Sequence, residues 1–289
     1  MSDSRRHVLP LVIAAACWGA GAVASKRAVA EIPATILLVV QLAASVIALG
    51  AITLSRRINI AGSHRRLAML GLLNPGLAYL LSLAGLATIP ASLSVLLWTT
   101  EPILIFALAW LVLREPIGVK AALLAPVAVA GAALAAAAGT TGGRAVGIAL
   151  TLGGVLCCAV YTVATRVLLG DHSAIGVVTT QQLAALGFGG VIVALHLLAG
   201  GVERLGSAST TAWASAILSG VLYYGLAFWA YLVGLRRSNA STASIYFNLI
   251  PLFGIGGSYL FLGERLEASQ LLGAAIVVAA VALLTQRRD

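Results

Sequence analysis

Ten apolar runs, joined by short polar stretches, limit what this chain can become more than any other feature. They cover about 8–25, 34–54, 67–88, 91–113, 119–138, 146–168, 174–199, 211–235, 240–262 and 268–285. A helix that crosses a bilayer needs about 20 apolar residues, more than a buried soluble helix usually has. Each run is apolar nearly all round. Only 9% of the 289 residues are charged and 61% are hydrophobic, against roughly a quarter charged in a soluble domain. The runs predict an all-α polytopic membrane protein with ten transmembrane helices, whose first partner is the lipid bilayer.

The chain also repeats itself. A shift of 149 positions carries Gly71, Gly76, Gly85, Pro102 and Glu115 onto Gly220, Gly225, Gly234, Pro251 and Glu264 without a gap. Ala91-Ser92 falls on Ala240-Ser241 in the same register. Leucines and alanines could align by chance in so apolar a chain; the Gly, Pro and Glu pairs in one register could not do so easily. A shift of 140 sets Cys17 on Cys157, and a shift of 141 sets the QLAA of Gln41–Ala44 on Gln182–Ala185. The chain therefore divides into two related units, 1–140 and 141–289, of five runs each. The first run follows Ser4-Arg5-Arg6 and ends near Ala22-Val23-Ala24, which has the look of an export signal. Its counterpart deep in the chain predicts that it is kept.

Five crossings are an odd number, so the second unit enters the membrane upside down relative to the first. Inverted repeats of this kind mark secondary transporters, with the solute site near the midplane between the halves. Basic residues, counted loop by loop, number 13 on one side and 5 on the other. The positive-inside rule then puts both termini in the cytoplasm. The net charge of +9 comes from residues standing singly or in pairs between apolar runs, so it reads as orientation signal and not as a nucleic-acid surface. Cys17, Cys157 and Cys158 lie inside apolar runs without metal-ligand spacing and read as small buried residues. No metal and no cofactor is expected.

Polar and aromatic groups at mid-helix depth are the site candidates, because burying them in lipid is costly. Glu101 stands beside Pro102 near the middle of the fourth run. A proline there frees a carbonyl of the preceding turn, and a carboxylate beside it could bind an amino group or carry a proton; a neutral acid bonded to a neighbouring helix is the plainer alternative. Trp18, Tyr79, Trp98, Tyr161, Tyr223, Tyr224, Trp229 and Tyr246 lie at similar depth. The repeat pairs Tyr79 with Phe228, Trp98 with Phe247, Asn74-Pro75 with Tyr223-Tyr224, and Thr99 with Asn248. A cavity built from these groups would be mostly apolar with a few polar fixers, which suits flat amphipathic solutes. The candidate substrate-binding set is Trp18, Asn74, Tyr79, Trp98, Glu101, Tyr161, Tyr223, Tyr224, Tyr246 and Asn248. Each aromatic taken singly could equally be core packing. Gln41, Gln181 and Gln182 could bond across helices or to solute. Glu115 and Glu264 lie at helix ends, where pairing with an arginine or capping a neighbouring helix is expected.

Pro251, Leu262-Gly263-Glu264-Arg265-Leu266 and Gly273 in the second copy, with Pro102, Leu113-Arg114-Glu115-Pro116 and Gly131 in the first, resemble the EamA-type domain of the drug/metabolite transporter superfamily. Trp18-Gly19 is similar to that family's early tryptophan-glycine pair. Arg114, where the family prefers glycine, and Cys158-Ala159, opposite Trp18-Gly19, depart from the pattern. The overall pattern looks most like the YddG branch of aromatic amino acid exporters. The resemblance implies a cavity walled by helices 1, 3, 4, 6, 8 and 9, and outward movement of aromatic amino acids and cationic dyes across the bacterial inner membrane. A broader drug, cation, sugar or nucleoside transporter of the same fold is the alternative.

Two other classes lack the groups they need. An intramembrane enzyme needs paired acids, an HExxH helix or a serine-histidine couple. Only Glu101 is an acid in mid-membrane, and His7, His64, His172 and His196 lie at or near run ends or late in a run. A haem anchor would need two histidines in mid-helix. No GxxxxGK[ST] loop is present, so transport would be passive or driven by proton exchange through Glu101.

Overall fold

Helix boundaries follow the apolar runs closely. The computed structural model describes residues 5–55, 57, 65–113, 119–137, 142–168, 174–199, 208–235 and 249–285. Among these, helices account for nearly all residues and no strand occurs. They are α1 (Arg5–Val29), α2 (Ala34–Ser55), α3 (Arg65–Leu86), α4 (91–113), α5 (Val119–Ala137), α6 (Gly142–Leu168), α7 (Ala174–Leu198), α8 (210–235), α9 (Ile250–Leu262) and α10 (Ala268–Thr285). Seven of the described segments are long and apolar enough to cross a membrane, and Ile250–Leu262 and Ala268–Ala280 are shorter apolar helices. Leu54 and Leu198 are more than four-fifths exposed, at 82% and 84%, and Ile47, Leu111, Leu260 and Phe261 also face outward. Such an apolar exterior belongs in hydrocarbon, where helices satisfy their own backbone groups. The chain is a polytopic helical membrane protein.

Four helices depart from regular geometry, one of them α9, whose last five residues, Ser258–Leu262, form a π-helical turn. In α3 the six residues Leu72–Leu77 form a π-helical turn in which Asn74 is extended (φ −143°, ψ 120°) and the Asn74–Pro75 peptide is cis. In α8 a matching π-turn spans Gly220–Leu226. α4 breaks at Thr99–Thr100, between Ala91–Trp98 and Glu101–Leu113. Pro102 has no N–H to offer the carbonyl of Trp98, and its ring would crowd that carbonyl. Thr99 and Thr100 instead turn both their N–H and their hydroxyl groups back to the carbonyls of Leu96 and Leu97. The kink expected at Pro102 thus lies in the turn that precedes it.

The packing is reciprocal. α1 packs on α8 and α9, as α6 packs on α3 and α4; α2 meets α8 as α7 meets α3; and α2–α7, α4–α9 and α5–α10 pair directly. Close backbone contacts stand at the start of the π-turns of α3 and α8. A Cβ on Gly71 would lie 2.7 Å from the Cα of Gln181, and one on Gly220 would lie 2.7 Å from the Cα of Gln41. Glycine is required at both for the backbones to meet. This pairing puts Gln41 opposite Gln181, a shift of 140 and not the 141 of the QLAA match. α5 and α10 close one flank, where Ala128, Ala280 and Ile103 of α4 cluster.

Charged residues at helix ends hold their neighbours. Gly263 (φ +67°) ends α9 in the left-handed conformation, and the N–H of Glu264 donates to the carbonyl of Ser258, a glycine helix stop. The turn aims the Glu264 carboxylate at the start of α4. There it accepts from the N–H of Ala91 (2.9 Å) and from the N–H (3.0 Å) and hydroxyl (2.8 Å) of Ser92. Lys26 of α1 donates to the carbonyls of Leu86 (2.8 Å) and Ile89 (2.7 Å) at the end of α3. The α3–α4 turn is therefore held by opposite charges at its two ends, as helix dipoles favour. Glu31 does the same for α8, accepting from the N–H (2.7 Å) and hydroxyl (3.0 Å) of Ser209. Those bonds, the backbone one first, lower the Glu31 pKa below its ordinary value of 4.5. The capping role expected of Glu264 is the one observed. Glu115 lies outside the described residues.

Candidate functional site

Between α1, α3, α4, α8 and α9 lies a narrow cavity of about 50 Å³. Trp18, Tyr79, Trp98, Tyr223 and Tyr224 line it, with Ile250, Val95 and Leu83 completing the apolar wall. The rings contact one another. Tyr79 stacks on Trp98 at 5.5 Å, and meets Tyr223 (5.4 Å, 90°) and Tyr224 (5.0 Å, 74°) edge to face. Trp18 meets Phe228 (5.5 Å) and Tyr231 (5.7 Å). Edge-to-face and offset contacts let the electropositive ring edge meet the electronegative face, so the rings fix each other's orientation. The π-turn of α8 places Tyr223 and Tyr224 side by side in this cluster. Ser25, Ser82 and Ser94 add hydroxyls to the wall.

Beside the aromatic cluster lies a polar one. Asn74 Nδ2 donates to Cys158 Sγ at 3.3 Å, and Cys158 Sγ donates to Glu101 Oε1 at 3.2 Å. The Thr162 hydroxyl approaches the same oxygen at 3.5 Å. Asn74 is 2% exposed, and its Oδ1 has no hydrogen-bond partner among the described residues. Tyr79 and Tyr223 lie within electrostatic range of both Glu101 and Cys158. The extended conformation of Asn74 within α3 and the break in α4 just before Glu101 set this group.

Of the ten candidates, five line the cavity and two, Asn74 and Glu101, form the polar cluster beside it. Tyr161 is turned elsewhere, donating its hydroxyl to Gln181 Oε1 at 2.7 Å. Tyr246 and Asn248 lie outside the described residues. The glutamines bond across helices: Gln41 to Ser25 and Ser219, Gln181 to the Leu67 carbonyl, and Gln182 to Ser45 and the Tyr224 carbonyl. Cys158 is buried, as its apolar run predicts, and it also joins polar groups of two other helices, 84 and 57 residues away. The repeat held the only sequence signal for it, since it set Cys158 opposite Trp18. No signal distinguished Ser25, Ser82 or Ser94, because a serine in an apolar helix commonly bonds its own preceding turn, as Ser258 does with Gly254.

A cavity between helices, ringed by aromatic faces and flanked by one part-buried acid, is the candidate site. The EamA-like transporter family model matches residues 6–137 and again 145–286, and the chain belongs to that family. It is 29% identical over 201 residues to a "Probable terminal-alkyne amino-acid exporter" of Streptantibioticus cattleyicolor, covering 69% of this chain and 65% of that protein. It is 28% identical over 222 residues to the "Uncharacterized transporter YvbV" of Bacillus subtilis, covering 75% of this chain and 70% of that one. A solved crystal structure superposes with a TM-score of 0.70 at 15% identity, covering 96% of both chains. That likeness is one of fold.

Proposed function

We propose that the chain is a secondary transporter, not an enzyme, that exports amino acids, aromatic ones first, across the bacterial inner membrane. Ten crossings form two five-helix units, 1–140 and 141–289, inserted in opposite directions with both termini in the cytoplasm. The single observation that carries this reading is the ring cluster of Tyr79, Trp98, Tyr223 and Tyr224, which faces a cavity at the seam of the two units. Ring faces on three helices suit a flat apolar side chain. The amino-acid exporter among the relatives supports an amino acid as cargo. The reciprocal packing and the basic loops support the inverted arrangement.

A cavity of about 50 Å³ is far smaller than the roughly 300 Å³ or more of an open small-molecule site. It is the contracted end of a cycle in which the units rock and expose the chamber to each face in turn. Glu101 serves the solute's amino group or an exchanging proton. The test is counterflow: liposomes carrying the pure chain, loaded with unlabelled phenylalanine, should accumulate labelled phenylalanine above empty liposomes. Trp98→Ala should lower that rate by about tenfold, the equivalent of one strong aromatic contact. Absence of flux for phenylalanine, tyrosine and tryptophan alike would sink the reading.

A further inference from the structure

The repeat pairs residues of opposite chemistry across the seam. At a shift of 149, Asn74 corresponds to Tyr223 and Glu101 to Ile250; at 140, Cys158 corresponds to Trp18 and Thr162 to Ala22. The first member of every pair belongs to the hydrogen-bonded group around Glu101. The second member of every pair lines the apolar cavity. Four pairs of equivalent positions thus make a polar end and an aromatic end, each built from both units. Tyr79 and Tyr223 stand between the two, lining the cavity and lying within electrostatic range of Glu101.

The polar end is a set of acceptors short of donors. Both hydrogen bonds described for Glu101 reach Oε1. Asn74 Oδ1 is buried and has no partner among the described residues. Among the described residues, no Lys, Arg or His lines the cavity or joins the hydrogen-bonded group. Such a site calls for a cationic donor, and an ammonium brings three N–H groups and no acceptor. A carboxylate would meet no positive charge among the described residues, and leaving it uncompensated in an apolar chamber is costly. Ser25, Ser82 and Ser94 could offer it hydroxyls, but they lie on the aromatic side. In an α-amino acid both charged groups sit on one carbon, so a carboxylate placed at the serines would pull the ammonium away from Glu101.

Building on the proposal that this chamber carries solute, we propose that its preferred cargo class is arylalkyl amines: a protonated amine on a short chain ending in an aromatic ring, without a carboxylate. The ammonium binds at Glu101 and Asn74, and the ring lies against Trp18 and Tyr223. The test uses the full chain in liposomes, with labelled phenylalanine and labelled 2-phenylethylamine each followed directly. Unlabelled 2-phenylethylamine should inhibit phenylalanine counterflow at about one-tenth the concentration that phenylalanine needs. 3-Phenylpropanoate, which keeps the carboxylate and lacks the amine, should not inhibit. Glu101→Gln should weaken inhibition by the amine about tenfold, and Glu101→Asp, which keeps the charge, should restore part of it. Inhibition by 3-phenylpropanoate equal to or better than that by the amine overturns the inference and leaves the transport reading standing. Flux of the amine with none of phenylalanine upholds the inference and removes amino acids as cargo. If neither moves, both readings fall.

Discussion

Gly71 and Gly220 stand where a side chain would not fit. Each allows a helix backbone to touch a glutamine backbone of another helix, and a methyl group at either would sit 2.7 Å from a Cα. Backbone cannot give way as a side-chain tip can, so overpacking should cost about 1–3 kcal/mol. Gly220→Ala is therefore expected to lower the thermal unfolding midpoint of the purified protein, whereas Gly256→Ala, which meets nothing within 4 Å, should leave it nearly unchanged. These two glycines were legible in the sequence because they head the repeat. The polar cluster was legible only in part. Glu101 stands out as an acid in an apolar run, but a cysteine in such a run looks like packing. What joins Cys158 to Asn74 is the meeting of α6 with α3, a long-range contact that no local pattern encodes. Ser94 is silent for the same reason.

At the scale of elements, helix ends are where charge works. The Glu264 carboxylate caps α4, and a cap of this kind is worth about 1 kcal/mol. Glu264→Ala should speed amide hydrogen exchange at Ala91 and Ser92 roughly fivefold and leave exchange within α10 unaltered; equal protection at both residues would show that the cap does not hold the helix. Glu31 gives a pH-dependent counterpart outside the membrane. Its pKa is lowered below 4.5 chiefly by the Ser209 N–H, so its contribution is fully present above that value and is lost as pH falls through the lower, folded-state pKa. The midpoint difference between wild type and Glu31→Gln should thus be open at neutral pH and close well below 4.5, where both carry a neutral side chain. The element boundaries themselves were readable from hydropathy, because lipid demands unbroken apolar helices. The π-turns and the exact break in α4 were not, since they depend on which backbone lies opposite.

For the molecule as a whole, the duplication does two jobs. It supplies the same packing twice, so that α3 meets α6 and α8 meets α1 through equivalent contacts. It also lets side chains diverge at equivalent positions, so that the seam is acidic on one side and aromatic on the other. Transport as proposed requires that seam to be a solute chamber. The most direct measurement is thiol labelling of Ser94→Cys, a cavity-wall position on α4, in membranes, with a membrane-impermeant maleimide read out by the mass of the labelled peptide. Residue 94 should be labelled, and saturating phenylalanine or 2-phenylethylamine should slow its labelling. Labelling that neither solute alters, or a thiol that no aqueous reagent reaches under any condition of transport, would contradict the proposed chamber.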